Sequence, residues 1–332
     1  MDSLIFAIGA VAPIIFTVGL GYFLKRIGLF PKELVKPLNK LVFRVLLPSM
    51  MFLNLYGVDS LSSITPGYLI YSAAVIVAVF AISVPVSVAI TKEGNRRGPL
   101  IQCAFRSNYA LIGIPLAVSL LGNEAAAAAA VLSAISIPSF NILAVIALSV
   151  FDPSGKRVRI RDLIMKIIKN PLIIAVFLGL VGYFIKSELT SMGLDLGYDA
   201  SKKNLYTAVY TCFDYLSRSA TPLALLTLGA QFEFSSVGAM KKEICAGVIM
   251  RTVAVPLLAL LCTIPFGDIL EPVHYACFVG LFATPVAVST VPMAQEMGGD
   301  SEYAGQLVVW TTLSSSLTIF VSVAILRAIG IF

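Results

Sequence analysis

The sequence predicts an all-α integral membrane protein of ten transmembrane helices, built as two inverted five-helix repeats with broken fourth and ninth spans. Three observations carry that expectation. The 332 residues are 58% hydrophobic and only 13% charged, whereas soluble domains are roughly 45–50% apolar and about 25% charged. The apolar residues gather into ten stretches, most of them long enough for a hydrocarbon core of roughly 30 Å, which takes about 20 helical residues. Finally, the fourth and ninth stretches are interrupted at matching places. One reads Ser107-Asn108-Tyr109-Ala110-Leu111-Ile112-Gly113-Ile114-Pro115 and the other Thr284-Pro285-Val286-Ala287-Val288-Ser289-Thr290-Val291-Pro292. Irregular backbone at membrane depth is tolerated only where protein or water covers it. Interruptions at corresponding places in two halves are the pattern expected of a carrier's binding site.

The first stretch, Leu4–Leu24, holds Pro13, has no basic residue ahead of it and is followed by Lys25 and Arg26, which reads as a permanent helix rather than a secretory signal. Pro37–Tyr56, Gly67–Ile90, the interrupted Leu100–Leu121 and Ala125–Phe151 complete a first repeat over residues 1–151. Residues 152–169 form a basic linker. The second repeat, 170–332, holds Pro171–Ile185 (short by itself), Tyr206–Leu228, Ala246–Ile264, the interrupted Val273–Met293 and Gly305–Leu326. Local patterns recur in the same order in both. Pro13-Ile14-Ile15 followed by Gly21-Tyr22-Phe23-Leu24-Lys25 answers Pro171-Leu172-Ile173 followed by Gly182-Tyr183-Phe184-Ile185-Lys186. Pro48 answers Pro222, and Gly122-Asn123 answers Gly299-Asp300. An odd number of spans per repeat turns the second copy upside down. A wider offset late in the chain places an insertion near Ser187–Asn204.

Basic residues sort to one face. Lys25, Arg26, Lys32, Lys36 and Lys40 follow the first stretch, Lys92, Arg96 and Arg97 the third, and Lys241 and Lys242 the seventh. The linker adds Lys156, Arg157, Arg159, Arg161, Lys166 and Lys169, against Lys186, Lys202, Lys203 and Arg327 near the other face. The positive-inside bias makes the first face cytoplasmic and leaves both termini outside the plasma membrane. Glu296, Asp300 and Glu302 share the basic face, but acidic residues weigh little in this rule. The net charge of +6 therefore reports topology in a lipid bilayer and implies no nucleic-acid partner. Five cysteines (Cys103, Cys212, Cys245, Cys262 and Cys277) lack metal-ligand spacing and are expected to be small reduced core residues.

Proline suits the first position of a helix, so Pro115 and Pro292 are expected to open two half-helices, with Gly113 and Thr290 just before them. A helix N-terminus carries roughly half a positive charge and free N–H donors. Inverted copies would aim two such ends at one midplane point, a receptacle for a carboxylate or another small anion. Ser107, Asn108, Tyr109, Asn141, Thr284, Pro285 and Ser289 are the side chains placed to satisfy the unwound backbone or to touch the ligand. The plainer alternative is a pair of proline kinks mended by neighbouring Ser and Thr.

A lone charge at a helix centre costs about 2.5–3.5 kcal/mol on insertion scales, so each one needs a partner or a task. Arg106 either attracts an anion toward the breaks, reaches back to the interface, or binds carbonyls of the facing segment. Asp214 and Arg218 stand four apart on one helical face, the spacing of an internal ion pair. Arg251 has no assigned role, and Arg44 can snorkel. His274, the single histidine, is expected to be solvated at the interface. The run Ala125–Ala130 suits close helix packing.

Phe105-Arg106-Ser107-Asn108 with Gly113-Ile114-Pro115-Leu116, Asn170-Pro171-Leu172-Ile173-Ile174, and Thr284-Pro285 with Met293-Ala294-Gln295-Glu296-Met297-Gly298-Gly299-Asp300 resemble the auxin efflux carrier family, closest to its bacterial malate permease-like branch. The resemblance implies the fold of the bile-acid/sodium symporters, with spans one, two, six and seven as scaffold and three to five and eight to ten as a mobile core. It further implies a homodimer through the scaffold, and Asn123, Ser136, Gln295 and Glu296 as candidates for Na+ coupling. The plant auxin carriers usually have Thr after the motif asparagine, where this chain has Tyr109, and carry a longer central loop. Auxin itself and loop-based regulation are therefore not carried over.

An enzyme is disfavoured. Metal-dependent proteolysis needs two histidines on one helix, and Asp214 has no companion carboxylate. The expected function is secondary transport of a small organic anion (malate or an auxin-like acid) by an elevator-type alternating-access movement. No cofactor is expected, and Na+ or H+ are the candidate coupling ions. A receptor that binds in the same pocket without transport is the alternative.

Overall fold

The computed structural model describes residues 2–57, 66–152, 160–192, 204–267 and 270–331. Helix occupies every stretch that the sequence marks as apolar. α1 (Asp2–Arg26) is followed by α2 (Lys32–Leu41), which passes through a π-helical turn, Val42–Leu46, into α3 (Leu47–Tyr56). Next come α4 (Pro66–Ile90) and α5 (Gly94–Phe105). After a gap, the π turn Tyr109–Gly113 leads into α6 (Ile114–Leu121) and then α7 (Asn123–Val150). The short α8 (Ile160–Ile168) precedes α9 (Pro171–Ser191), α10 (Leu205–Gln231) and α11 (Ser236–Ala239). α12 (Lys241–Ile249) continues through the π turn Met250–Ala254 into α13 (Val255–Leu261). α14 (Pro272–Phe278) ends in the π turn Val279–Ala283, and after a second gap α15 (Thr290–Glu296) and α16 (Ser301–Ala328) close the chain.

Among the described residues, six helical stretches are long and apolar enough to cross a membrane unbroken: Glu33–Tyr56, Gly67–Ile90, Glu124–Val150, Pro171–Ser191, Lys241–Phe266 and Ser301–Ala328. Tyr109–Leu121 and Pro272–Ala283 are shorter apolar helices that flank the gaps. α9 runs past the expected Ile185 to Ser191, because Lys186 is held inward by the Tyr56 carbonyl (3.1 Å) and lies over the Tyr56 ring. Lys156, Arg157 and Arg159 of the linker, and Lys202 and Lys203 of the expected insertion, lie outside the described residues.

Among the described residues, all four π turns end two residues before a proline: Pro48, Pro115, Pro256 and Pro285. Proline lacks an N–H and its ring crowds the carbonyl four residues back. A widened turn takes up that lost bond, and at three of the four prolines the helix then continues.

α1 packs against α10 and α16, and α3 against α9 and α10. Gly21 and Gly229 make the first of these contacts possible, since a Cβ at Gly21 would strike the Leu226 carbonyl and one at Gly229 the Val18 carbonyl. Gly179 serves α9 in the same way, approaching the backbone of Phe52. Small residues that let backbones meet are the usual packing device where lipid removes the hydrophobic drive between helices. α4 packs on α5 and α7, and α16 on α15, α12 and α5. Ion pairs tie together segments assigned to the basic face: Lys25–Glu233 (2.7 Å), Arg44–Glu296 (3.3 Å), Arg96–Asp300 (3.0 Å), Arg96–Glu243 (3.4 Å) and Lys166–Asp152 (3.1 Å).

Candidate functional site: two paired helix breaks

α5 stops at Phe105 because Arg106 turns to extended backbone (φ −92°, ψ 96°). The facing segment stops at Ala283, where Thr284 is also extended (φ −79°, ψ 159°). The two gaps meet. Asn108 N donates to Pro285 O at 2.8 Å, Ala287 N donates to Arg106 O at 3.1 Å, and Ser107 and Val286 form an antiparallel bridge. Each break thus supplies the hydrogen bonds that the other lost by leaving the helix, which is what buried backbone requires. Beside the bridge the chains touch through Gly113 and Gly280, where a Cβ on either would sit 2.5 Å from the other's carbonyl oxygen.

The breaks do not fall where the prolines suggest. Pro115 lies inside a continuous helix that begins at Tyr109, since the π turn before it absorbs the missing N–H. Gly113 is accordingly a contact point and not a helix start. In the second segment Thr290 does open α15, but Pro292 is its third residue, where an absent N–H also costs nothing.

Arg106 is buried with uncharged partners. Its Nη1 donates to Gln102 Oε1 at 2.9 Å and contacts Met293 Sδ at 2.8 Å, and its Nη2 donates to Asn141 Oδ1 at 2.9 Å. Beside it, Ser107 Oγ, Asn108 Nδ2 and Gln102 Nε2 are buried without a protein partner, as is Thr290 Oγ1 at the start of α15. Arg106, Ser107, Asn108, Tyr109, Asn141 and Ser289 line one small cavity of about 40 Å³, whose far wall is Met50 and Met51 of α3. Of the other predicted groups, the Thr284 hydroxyl is turned to Gly280 O at 2.8 Å, and Pro285 contributes its carbonyl to the bridge.

Arg251, unassigned from sequence, is the largest wholly buried side chain among the described residues. Its Nε donates to Thr284 O (2.8 Å), Nη1 to Ala104 O (2.9 Å) and Nη2 to Leu281 O (3.1 Å). Thr311 Oγ1 accepts from Val286 N at 3.3 Å. Met50, Met51, Gly280 and Arg251 escaped the sequence reading. The only signals were a charge within an apolar span and a glycine inside one.

The residues named for ion coupling share no hydrogen bond with one another among the described contacts. Gln295 bonds Asn39 (2.9 Å) and the Lys36 carbonyl (3.3 Å), Glu296 pairs with Arg44, and Ser136 is buried on α7 with an unpartnered hydroxyl. Asn123 opens α7. Among the described residues no three His, Cys, Asp or Glu side chains cluster as metal ligands. His274 is buried, against the expectation of a solvated ring: its Nδ1 accepts from Glu271 N at 3.0 Å, closing a capping box, and its ring stacks on Tyr68. Asp214 and Arg218 pair at 2.8 Å as their spacing predicted. Of the cysteines, Cys103 and Cys277 are buried, whereas Cys212, Cys245 and Cys262 lie on the outer surface rather than in the core. The alanine run packs closely, with the carbonyls of Ala128 and Ala129 accepting from Tyr68 (3.1 Å) and Tyr109 (3.3 Å).

A search among curated proteins finds no match to this chain. The family model described as membrane transport protein matches residues 6–323, a span that takes in both breaks, the lining of the cavity and Arg251. The chain therefore belongs to that family of membrane transporters, the auxin efflux carrier family.

Proposed function

We propose that the chain is a secondary transporter of a small organic anion, a carboxylate or dicarboxylate, and that the ligand binds at the paired breaks. One observation carries this reading: a buried guanidinium, Arg106, has only neutral partners and shares a cavity with Ser107 and Asn108, whose Oγ and Nδ2 are unpartnered. A buried cation without a counter-charge is costly, and an anion that accepted from these donors would relieve the cost. The helix that starts at Tyr109 adds its N-terminal N–H groups to the same wall.

The size of the cavity supports a transport cycle in which the site must open. At about 40 Å³ it has room for water but not for a carboxylic acid; ligand sites usually enclose roughly 300–1,000 Å³. Its far wall is two methionines, long and adaptable side chains. On this reading α1–α3, α9 and α10 form the scaffold, the remaining spans move as one body, and the site opens when the breaks slide away from Met50 and Met51. Two inverted repeats, residues 1–151 and 170–332, give that movement its symmetry, and residues 152–169 join them on the cytoplasmic side of the plasma membrane. A homodimer would hold the scaffold still.

The test is counterflow in proteoliposomes loaded with malate or a related acid, run in Na+ and in choline medium and with and without a pH gradient. Wild-type protein exchanges labelled acid across the membrane, and Asn108→Ala, inserted and monodisperse, does not. Malate-dependent stabilisation without counterflow would favour the receptor, and full-rate exchange by Asn108→Ala would remove the site assignment.

A further inference from the structure

Arg251 does not line the cavity, yet it binds both segments that form it. α5 ends at Phe105, so the Ala104 carbonyl is among the last four of its helix, which have no partner within it. Leu281 and Thr284 stand in the same position at the end of the facing segment. Both helix ends carry partial negative charge, and they approach each other because the bridge between Ser107 and Val286 follows directly. The guanidinium fork lies between them and donates to all three carbonyls, with distances of 2.8–3.1 Å. Its side chain is 0% exposed, and each of these partners is a backbone carbonyl.

The reach of Arg251 is built into its own segment. Gly247, one turn earlier, lies against the side chains of Leu307, Leu100 and Cys103, and Cys103 Sγ contacts the Gly247 carbonyl at 3.5 Å. That contact draws α12 close to α5. The π turn Met250–Ala254 then changes the direction of the side chains that follow, Arg251 among them.

In carriers with broken helices, C-terminal half-helix ends and unwound carbonyls coordinate the coupling cation. We propose that Arg251 is the positioning residue of this site: a covalently attached cation that fills that role and locks the two breaks in register. The inference rests on the reading that the ligand binds at the breaks, but the lock itself does not require it. Removing the guanidinium leaves carbonyls of both segments unpaired at once, so the Ser107–Val286 pairing loosens and ligand affinity falls without loss of any ligand contact. Lysine does not replace it, because a single ammonium cannot span three carbonyls in one plane.

The experiment compares wild type, Arg251→Ala and Arg251→Lys in lipid nanodiscs. Deuterium exchange is followed over residues 104–108 and 281–287, and malate affinity is read by thermal shift. Each variant is measured alone, with millimolar guanidinium chloride and with NaCl, using choline chloride as the control. Arg251→Ala should exchange faster over both segments together and bind malate about tenfold or more weakly, the loss expected when buried acceptors lose their donor. Guanidinium should reverse both effects, and Arg251→Lys should lie between. A return produced by Na+ as well would assign the lock to charge rather than to the fork. Wild-type exchange in either variant, a change confined to one segment, or failure of guanidinium to restore Arg251→Ala would overturn the proposal. If Arg251→Ala does not insert, Arg251→Lys decides by the same readings. If malate fails to shift wild type, the transport reading fails, while the exchange data still judge the lock.

Discussion

The two breaks look equivalent in sequence and are used differently. In the second, from Thr284 to Ser289, most polar groups are turned inward, Ser289 at the cavity excepted: the Thr284 hydroxyl goes to Gly280, its carbonyl to Arg251, and Val286 N to Thr311. In the first, from Arg106 to Asn108, the backbone is satisfied by the bridge, but Ser107 Oγ and Asn108 Nδ2 have no protein partner and Arg106 has no counter-charge. On the proposed reading the second break is mainly framework, with Ser289 facing the cavity, and the first offers most of the groups left for a ligand. Buried polar groups left unpaired cost about 1–3 kcal/mol each, and a fold tolerates several in one place when something else is to bind there.

The comparison breaks most readily at Arg106. Arg106→Met removes the cation and keeps the bulk. Truncating one member of a buried charge pair typically costs about 2–5 kcal/mol of binding, so the malate-induced thermal shift should vanish. Stability should not follow it down. Replacing a buried charge by an apolar group of similar volume is often neutral or stabilising, so the unfolding temperature without ligand should hold or rise. A variant that lost stability and kept its ligand response would make Arg106 a structural residue and reverse the roles assigned to the two breaks.

Legibility from sequence followed the same division. The apolar stretches, the presence of an interruption in each of the two segments and the Asp214–Arg218 pair are readable because composition and helical spacing act locally, whereas the breaks themselves occupy only residues 106–108 and 284–289. Proline alone does not mark a helix start, because its penalty has two remedies, a break or a π turn, and only the three-dimensional setting selects between them. At Pro115 the π turn wins, and the break moves upstream to Arg106. Arg251 was visible as a charge in a span but not as a clamp, since its three acceptors come from carbonyls far apart in the chain. Met50 and Met51 carry no motif at all; only packing reveals them as the wall of the cavity.

A second test acts where the two breaks touch. Gly280→Ala places a methyl 2.5 Å from the Gly113 carbonyl oxygen, a backbone atom that cannot rotate away. Overpacking costs about 1–3 kcal/mol, occasionally more, and the upper part of that range is expected here. The unfolding temperature should fall, with ligand response reduced in parallel because the framework itself shifts. A Gly280→Ala protein with wild-type melting would mean that the two segments are not held in contact.

The smallest effect belongs to Thr311→Val, which isolates the framework break. Valine keeps the shape but removes the acceptor for Val286 N, leaving that amide buried and unpaired. The bond is long at 3.3 Å, and the hydroxyl also donates to Leu307 O at 2.7 Å, so the expected loss is about 1 kcal/mol, the low end for an unsatisfied buried donor. Malate affinity should change much less than in Arg106→Met, because no group facing the cavity is altered, and Thr311→Ser should restore the melting temperature. The pair of variants then separates in opposite senses: Arg106→Met loses ligand and keeps stability, Thr311→Val loses stability and keeps ligand. Were Thr311→Val to abolish the malate shift at unchanged melting temperature, the backbone from Thr284 to Val286 would have to be counted among the ligand-binding elements beside Ser289, and the asymmetry between the breaks would disappear.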